Sequence, residues 1–177
     1  MVETEAFKKF IINLQHEIIT SLAALDGNKF HLDRWKKPIG EGVTSILENG
    51  KIIERGGINF SHVKGKNLPP SAAQNRREIT GGEFEALGLS CVIHPQNPHV
   101  PTIHMNIRLF IATDKNKIQH WWFGGGIDMT PYYGYEDDVI DFHTKVKQNL
   151  DKIDKAYYPK FKDWCDSYFF IPHRNER

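Results

Sequence analysis

Apolar residues recur along this chain with two different periods, and each period marks a kind of element. Near the start, Phe7, Phe10, Ile11, Leu14, Ile18, Leu22 and Leu25 follow the three-and-four spacing of an amphipathic helix, which Asp26-Gly27-Asn28 ends. The spacing then shortens. Val43 to Glu48 and Lys51 to Arg55 flank Asn49-Gly50, a strong two-residue hairpin signal, and Gly56-Gly57 leads into a third short strand, Ile58 to Val63. Leu68 to Arg77 reads as a loop and a short helix capped near Ser71. Gly81-Gly82 opens a turn, Leu89 to His94 returns to strand, and two more strands run through His104 and Trp121. Helical spacing resumes at the end. Glu136 to Leu150 turns Val139, Phe142, Val146 and Leu150 inward, and Pro159 to Tyr168 turns Phe161, Trp164, Cys165 and Tyr168 inward. Consecutive strands without intervening helices predict an α+β fold, a large, mostly antiparallel sheet flanked by helices on both faces. No repeat or linker interrupts the pattern, so residues 1–177 read as a single domain.

Composition narrows the function classes. A length of 177 residues supports one domain with a substantial core. With 23 basic and 22 acidic residues the formal net charge is +1, so no global field recruits nucleic acid or a membrane surface, and any anion binding is local. No apolar run approaches the length of a membrane span. Cys91 and Cys165 lie far apart with no CxxC pairing, which argues against a disulfide framework or a thiolate metal site and suits a reducing cytosol. The acidic N-terminus lacks a signal core, and cytoplasm is the expected location.

The strand around His104 carries the candidate chemistry. From Thr102 to Ile111 the residues alternate: Ile103, Met105, Ile107, Leu109 and Ile111 point one way, and Thr102, His104, Asn106, Arg108 and Phe110 the other. A proton carrier, an amide and a guanidinium on one face are the inventory of a site that holds an acidic ligand and moves a proton. A merely solvated sheet face is the alternative. The flanks weigh against it, because Trp121-Trp122-Phe123-Gly124-Gly125-Gly126 pairs a large apolar surface with a backbone free to approach a ligand closely.

The runs Val92-Ile-His-Pro-Gln-Asn-Pro-His, Pro101-Thr-Ile-His-Met-Asn-Ile-Arg, Trp121-Trp-Phe-Gly-Gly-Gly-Ile-Asp-Met-Thr-Pro, Tyr158-Pro-Lys-Phe-Lys-Asp-Trp-Cys-Asp and Tyr168-Phe-Phe-Ile-Pro-His-Arg-Asn-Glu-Arg closely resemble those of the oxygen-dependent coproporphyrinogen III oxidases. Weaker matches reach back through Gly56-Gly-Ile-Asn-Phe-Ser-His-Val to Phe30-His-Leu-Asp-Arg-Trp. Family members continue past Arg177, with a Gly-rich segment ending in Asp-Asp and a further sheet-and-helix portion. That portion contributes to the substrate cleft and the homodimer interface. The chain is therefore expected to be an N-terminal part of the family domain.

The resemblance implies oxidative decarboxylation of two propionates of coproporphyrinogen III to vinyl groups, giving protoporphyrinogen IX. Dioxygen is the co-substrate and no cofactor is strictly required. The substrate asks for donors to its carboxylates, an apolar wall for its pyrroles and a group addressing the pyrrole N–H. By the same resemblance Ser90, Asn106, Ile107 and Arg108 bind substrate, with Arg108 able to grip a propionate through both nitrogens. Arg174, after His173 in the matching motif, reads either as a further propionate contact or as a surface pairing. Asp128 and His104 are the candidate catalytic pair. Asp128 would accept pyrrole N–H bonds, and His104, a side chain of the type that titrates near neutral pH, would donate or accept the proton. Asp128 in Asp-Met-Thr-Pro also reads as a turn cap, and Trp121, Trp122 and Phe123 read as either a pyrrole wall or core. His94, His104, His143 and His173 match histidines regarded as divalent-metal ligands, and His143 equally reads as a core-edge histidine with a satisfied hydrogen bond. Three functions follow from these readings: an oxidase acting as a homodimer, a non-catalytic tetrapyrrole-binding or dimerisation fragment, and a metal-dependent oxidoreductase using the four histidines.

Overall fold

The long apolar stripe near the N-terminus forms helix α1 (Thr4–Asp26), and the alternating segments after it all become strands of one sheet. The computed structural model describes residues 3–68, 79, 82–114 and 116–175, which fall into two compact units, Met1–Tyr133 and Gly134–Arg177. The first unit holds α1 and strands β1 (His31–Lys37), β2 (Gly40–Glu48), β3 (Ile53–Gly65), β4 (Glu83–Pro95), β5 (Thr102–Thr113) and β6 (Gln119–Thr130). These pair in chain order, each antiparallel to the next, as the α+β reading expects. The short helix expected near Ser71 lies outside the described residues.

Helix α1 lies across one face of the sheet. Ile11 is fully buried against Ile58, Phe60, Leu89, Cys91 and Ile93, with Phe7, Leu14, Ile18 and Leu22 packed around it. The stripe is narrower than its spacing predicts: Phe10 and Leu25 sit on its margins and are 53% and 62% exposed. Two buried polar side chains fix the helix in place. The Gln15 amide Nε2 lies 2.8 Å from Ile58 O, 3.0 Å from Val43 O and 3.1 Å from Ser45 Oγ, so it serves β2 and β3 together. Asp26 accepts the backbone N–H groups of Lys51, Ile52 and Ile53 at 3.2, 2.9 and 2.8 Å. Those bonds hold its carboxyl below the usual carboxylate range, the Ile53 N–H contributing most. Burial pushes the thiol of Cys91, under the same helix, upward.

Asp26 also explains why the hairpin departs from its sequence signal. The N–H of Gly50 meets Ile53 O at 2.9 Å, so the turn centres on Lys51-Ile52 rather than Asn49-Gly50. Asn49, not Gly50, takes the positive φ, 54°. Gly50 is glycine for another reason: a Cβ there would stand 2.4 Å from Asp26 Oδ2. The two short strands expected on either side of Gly56-Gly57 are one strand, β3, with a bulge at Ile53/Arg55. Strand β1 is absent from the sequence reading because its residues, His-Leu-Asp-Arg-Trp-Lys-Lys, are charged as an edge strand often is.

The second unit contains helices α2 (Glu136–Asp151) and α3 (Tyr157–Tyr168). Three acidic residues in the first turn of α2 complement its dipole, and Lys145–Asp141 and Lys162–Asp166 pair along the helix surfaces. Neither helix buries a residue, which corrects the expected inward stripes: Trp164 and Tyr168 are 65% and 76% exposed. Among the described residues no helix is long and apolar enough to cross a membrane.

Replacing Ile11 with alanine should cost about 3 kcal/mol, the usual penalty for emptying a buried aliphatic site, measured by urea unfolding. Asp26 gives a pH signature. A carboxyl with a lowered folded pKa stabilises fully above its unfolded pKa and loses that stabilisation as pH falls through the folded value. The unfolding midpoint of Asp26→Asn should therefore lie below wild type at pH 7, and the gap should close on acidification. A constant gap from pH 7 to pH 3 would contradict this role.

Candidate active site

The pleat sorts the sheet into two faces. Ile58, Phe60, Leu89, Cys91, Met105 and Ile107 lie under α1, and the alternate residues form the opposite face. There the registers align one row through Gly42, Ser61, Gly88, Arg108 and Gly124, and another through Thr44, Asn59, Ser90, Asn106 and Gly126. A third runs through Gly57, Val92, His104 and Asp128. The polar face expected for β5 is therefore part of a wider surface in which side chains stand among glycines.

His104 and Asp128 are directly opposed across β5 and β6, with Nδ1 2.7 Å from Oδ1. The hydroxyl of Thr130 donates to the same Oδ1 at 3.1 Å, leaving Oδ2 for an incoming donor. A carboxylate only accepts, so Nδ1 of His104 carries a proton and Nε2 is the nitrogen left to exchange one with a ligand. Asp128 lies within β6, so the turn-cap reading fails. Thr130 went unnoticed in the sequence because that reading hid its place two residues from Asp128 on the same strand face. His94, at the end of β4, has its Nδ1 3.3 Å from Thr102 Oγ1, and its ring stands edge-on to that of His104 with centroids 6.2 Å apart.

Arg108 is exposed and has no ion-pair partner among the described residues. Its stem lies over Gly124, where a Cβ would come 3.6 Å from Nε, and a Cβ on Gly88 would press to 2.8 Å from its own Cβ. Gly88 thus makes room where the Arg108 side chain leaves the strand, and Gly124 lies beneath its stem. Ser90 and Asn106 face each other across β4 and β5, both exposed, beside Gly126, whose missing side chain would meet nothing within 4 Å. The Ile107 side chain packs under α1, so on the site face this residue offers only its backbone.

The aromatic run does not form one wall. Trp122 shares the site face but stacks on Phe110 at 4.7 Å, with Phe84 beyond at 5.6 Å, while alternation sends Trp121 and Phe123 to the other face. His143 and His173 belong to the second unit. Nδ1 of His143 lies 3.2 Å from the Tyr158 hydroxyl, in keeping with a histidine whose hydrogen bond is satisfied, and His173 and Arg174 occupy the final turn. Among the described residues no three His, Cys, Asp or Glu side chains gather to hold a metal. The adjacent imidazoles of His94 and His104 alone fall short of a closed site.

A polar sheet face with an unpaired arginine, a histidine–carboxylate pair and a glycine floor suits a large anionic ligand. A family model described as coproporphyrinogen III oxidase matches residues 6–177, across both units. The chain belongs to the coproporphyrinogen III oxidase family, with a role in porphyrin biosynthesis.

Proposed function

We propose that this protein carries out the oxygen-dependent conversion of coproporphyrinogen III to protoporphyrinogen IX. The observation that carries the reading is Arg108, without an ion-pair partner among the described residues, standing one pleat repeat from Asn106 and two from the His104–Asp128 pair on a single strand face. In each of two rounds a propionate carboxylate leaves as carbon dioxide and the ring-attached carbon loses one hydrogen. The two electrons pass to dioxygen, which takes two protons and departs as hydrogen peroxide.

Each residue has a role that follows from its chemistry. Arg108 grips a propionate, and Ser90 and Asn106 add neutral donors beside it. Oδ2 of Asp128 accepts pyrrole N–H bonds and stabilises positive charge that develops as the ring is oxidised. His104 exchanges a proton through Nε2, held in its tautomer by Asp128. Arg174 is a further candidate for a propionate. An electron-rich tetrapyrrole reacts with dioxygen without a Lewis acid, so the scheme uses neither a metal nor an organic cofactor. The protein works as a homodimer in the cytoplasm on this reading.

Arg108→Ala should weaken substrate binding about 10- to 100-fold, the range for losing a charge-assisted contact, with an unchanged melting temperature. Equal affinity would refute the assignment. Asp128→Asn should lower kcat by two orders of magnitude or so with little change in KM; normal turnover would remove Asp128 from the mechanism. Carboxyl-labelled substrate should release carbon dioxide in step with oxygen uptake and in the presence of chelator. Loss of activity on chelation would favour a metal at His94 and His104, and binding without turnover would favour a tetrapyrrole-binding role.

A further inference from the structure

Ser90 and Asn106 are the last members of a longer line. The registers place Thr44 opposite Asn59, Asn59 opposite Ser90, and Ser90 opposite Asn106, so four successive strands present hydroxyl, amide, hydroxyl, amide in one transverse row. A solvated sheet face of ordinary composition would place Lys or Glu among these positions, and here all four are short, neutral and capable of donating. The row continues beyond Asn106 into Gly126, above which nothing stands within 4 Å, and Gly57 and Gly88 adjoin it without side chains. None of its four members is buried.

Asn59 is held for donation. Its Oδ1 accepts the backbone N–H of Ser45 at 3.2 Å, which fixes the amide and turns Nδ2 the other way, over Gly57, where a Cβ would meet it at 3.4 Å. Antiparallel strands lie about 4.8 Å apart, so Asn59 stands roughly 10 Å from Asn106. That is the kind of separation found between carboxylates on different rings of one tetrapyrrole. The row ends at Asp33 on β1, whose charge opposes an anion there and confines it to the Thr44–Asn59–Ser90 stretch.

We infer that Asn59, with Thr44 and Ser90 beside it, is a second carboxylate position that holds a propionate of the substrate on a ring remote from the Arg108–Asp128 end. This rests on the proposed tetrapyrrole site and extends it to strands β2 and β3. Neutral donors hold this carboxylate loosely, which suits a substrate that must shift between two decarboxylations, whereas Arg108 holds the reacting end firmly.

The test uses the full-length gene product and the stable, fluorescent coproporphyrin III as probe, with thermal melting as the folding control. Asn59→Asp keeps an oxygen for the Ser45 N–H and replaces the donor with a negative charge. It should raise Kd at least tenfold, and added salt should shrink the difference. Thr44→Val, which keeps the shape and removes the hydroxyl, should raise Kd about threefold, roughly one neutral hydrogen bond. Asp33→Asn should act in the opposite direction and tighten binding. Unchanged binding in Asn59→Asp and Thr44→Val, alongside weakened binding in Arg108→Ala, would overturn the second position and leave the Arg108 site standing. Unchanged binding in all three would overturn both.

Discussion

The register between β4, β5 and β6 is the constraint on which the site depends. A slip of one residue between β5 and β6 would send His104 and Asp128 to opposite faces, and one between β4 and β5 would turn Arg108 toward the core. The register is held by what lies beneath. Leu89, Cys91, Met105 and Ile107 must all face α1 for the covered side to close, and the same alternation lifts Ser90, His104, Asn106 and Arg108 to the other side. Core packing and site assembly are two readings of one pleat.

Helix α1 makes this asymmetry work. It is long enough to cross several strands, and its polar anchors differ in kind from its apolar contacts. Gln15 addresses backbone carbonyls of two strands, and Asp26 gathers the N–H groups of a turn that would otherwise lie open. Hydrophobic contact alone lets a helix slide on a sheet, whereas these directional bonds leave it one seat. Because the helix occupies one face, glycines on the other serve the ligand side: Gly88 admits the base of the Arg108 side chain, and Gly126 keeps open the ground beside Asn106.

Much of this was legible in the sequence, and the failures share a cause. The stripe from Phe7 to Leu22, Phe10 apart, and the alternation from Thr102 to Ile111 survive, because each is a long run with a single period. The misreadings fall where a local rule met a longer-range partner. Asn49-Gly50 carries a hairpin signal, but Asp26, about two dozen residues earlier in the chain, draws the turn two residues along. Asp128 resembles a cap before Thr-Pro, but its partner His104 lies on another strand. Trp121, Trp122 and Phe123 are one cluster in the sequence, yet the pleat divides them. The transverse row from Thr44 to Asn106 was invisible for the same reason, since its members are scattered through the chain and meet only across hydrogen-bonded strands.

Cys91 lies directly beneath this surface, on the α1 side of β4 and one residue from Ser90. Its thiol is shut away from solvent and held protonated by an apolar environment. Peroxide attacks thiolates rather than thiols. On the proposed chemistry each turnover releases an oxidant one strand thickness above a cysteine, and the cover of α1 makes that cysteine inert to it. On that chemistry the helix that seats the sheet also keeps the Cys91 thiol from the by-product, whereas Cys165 in the second unit stays exposed.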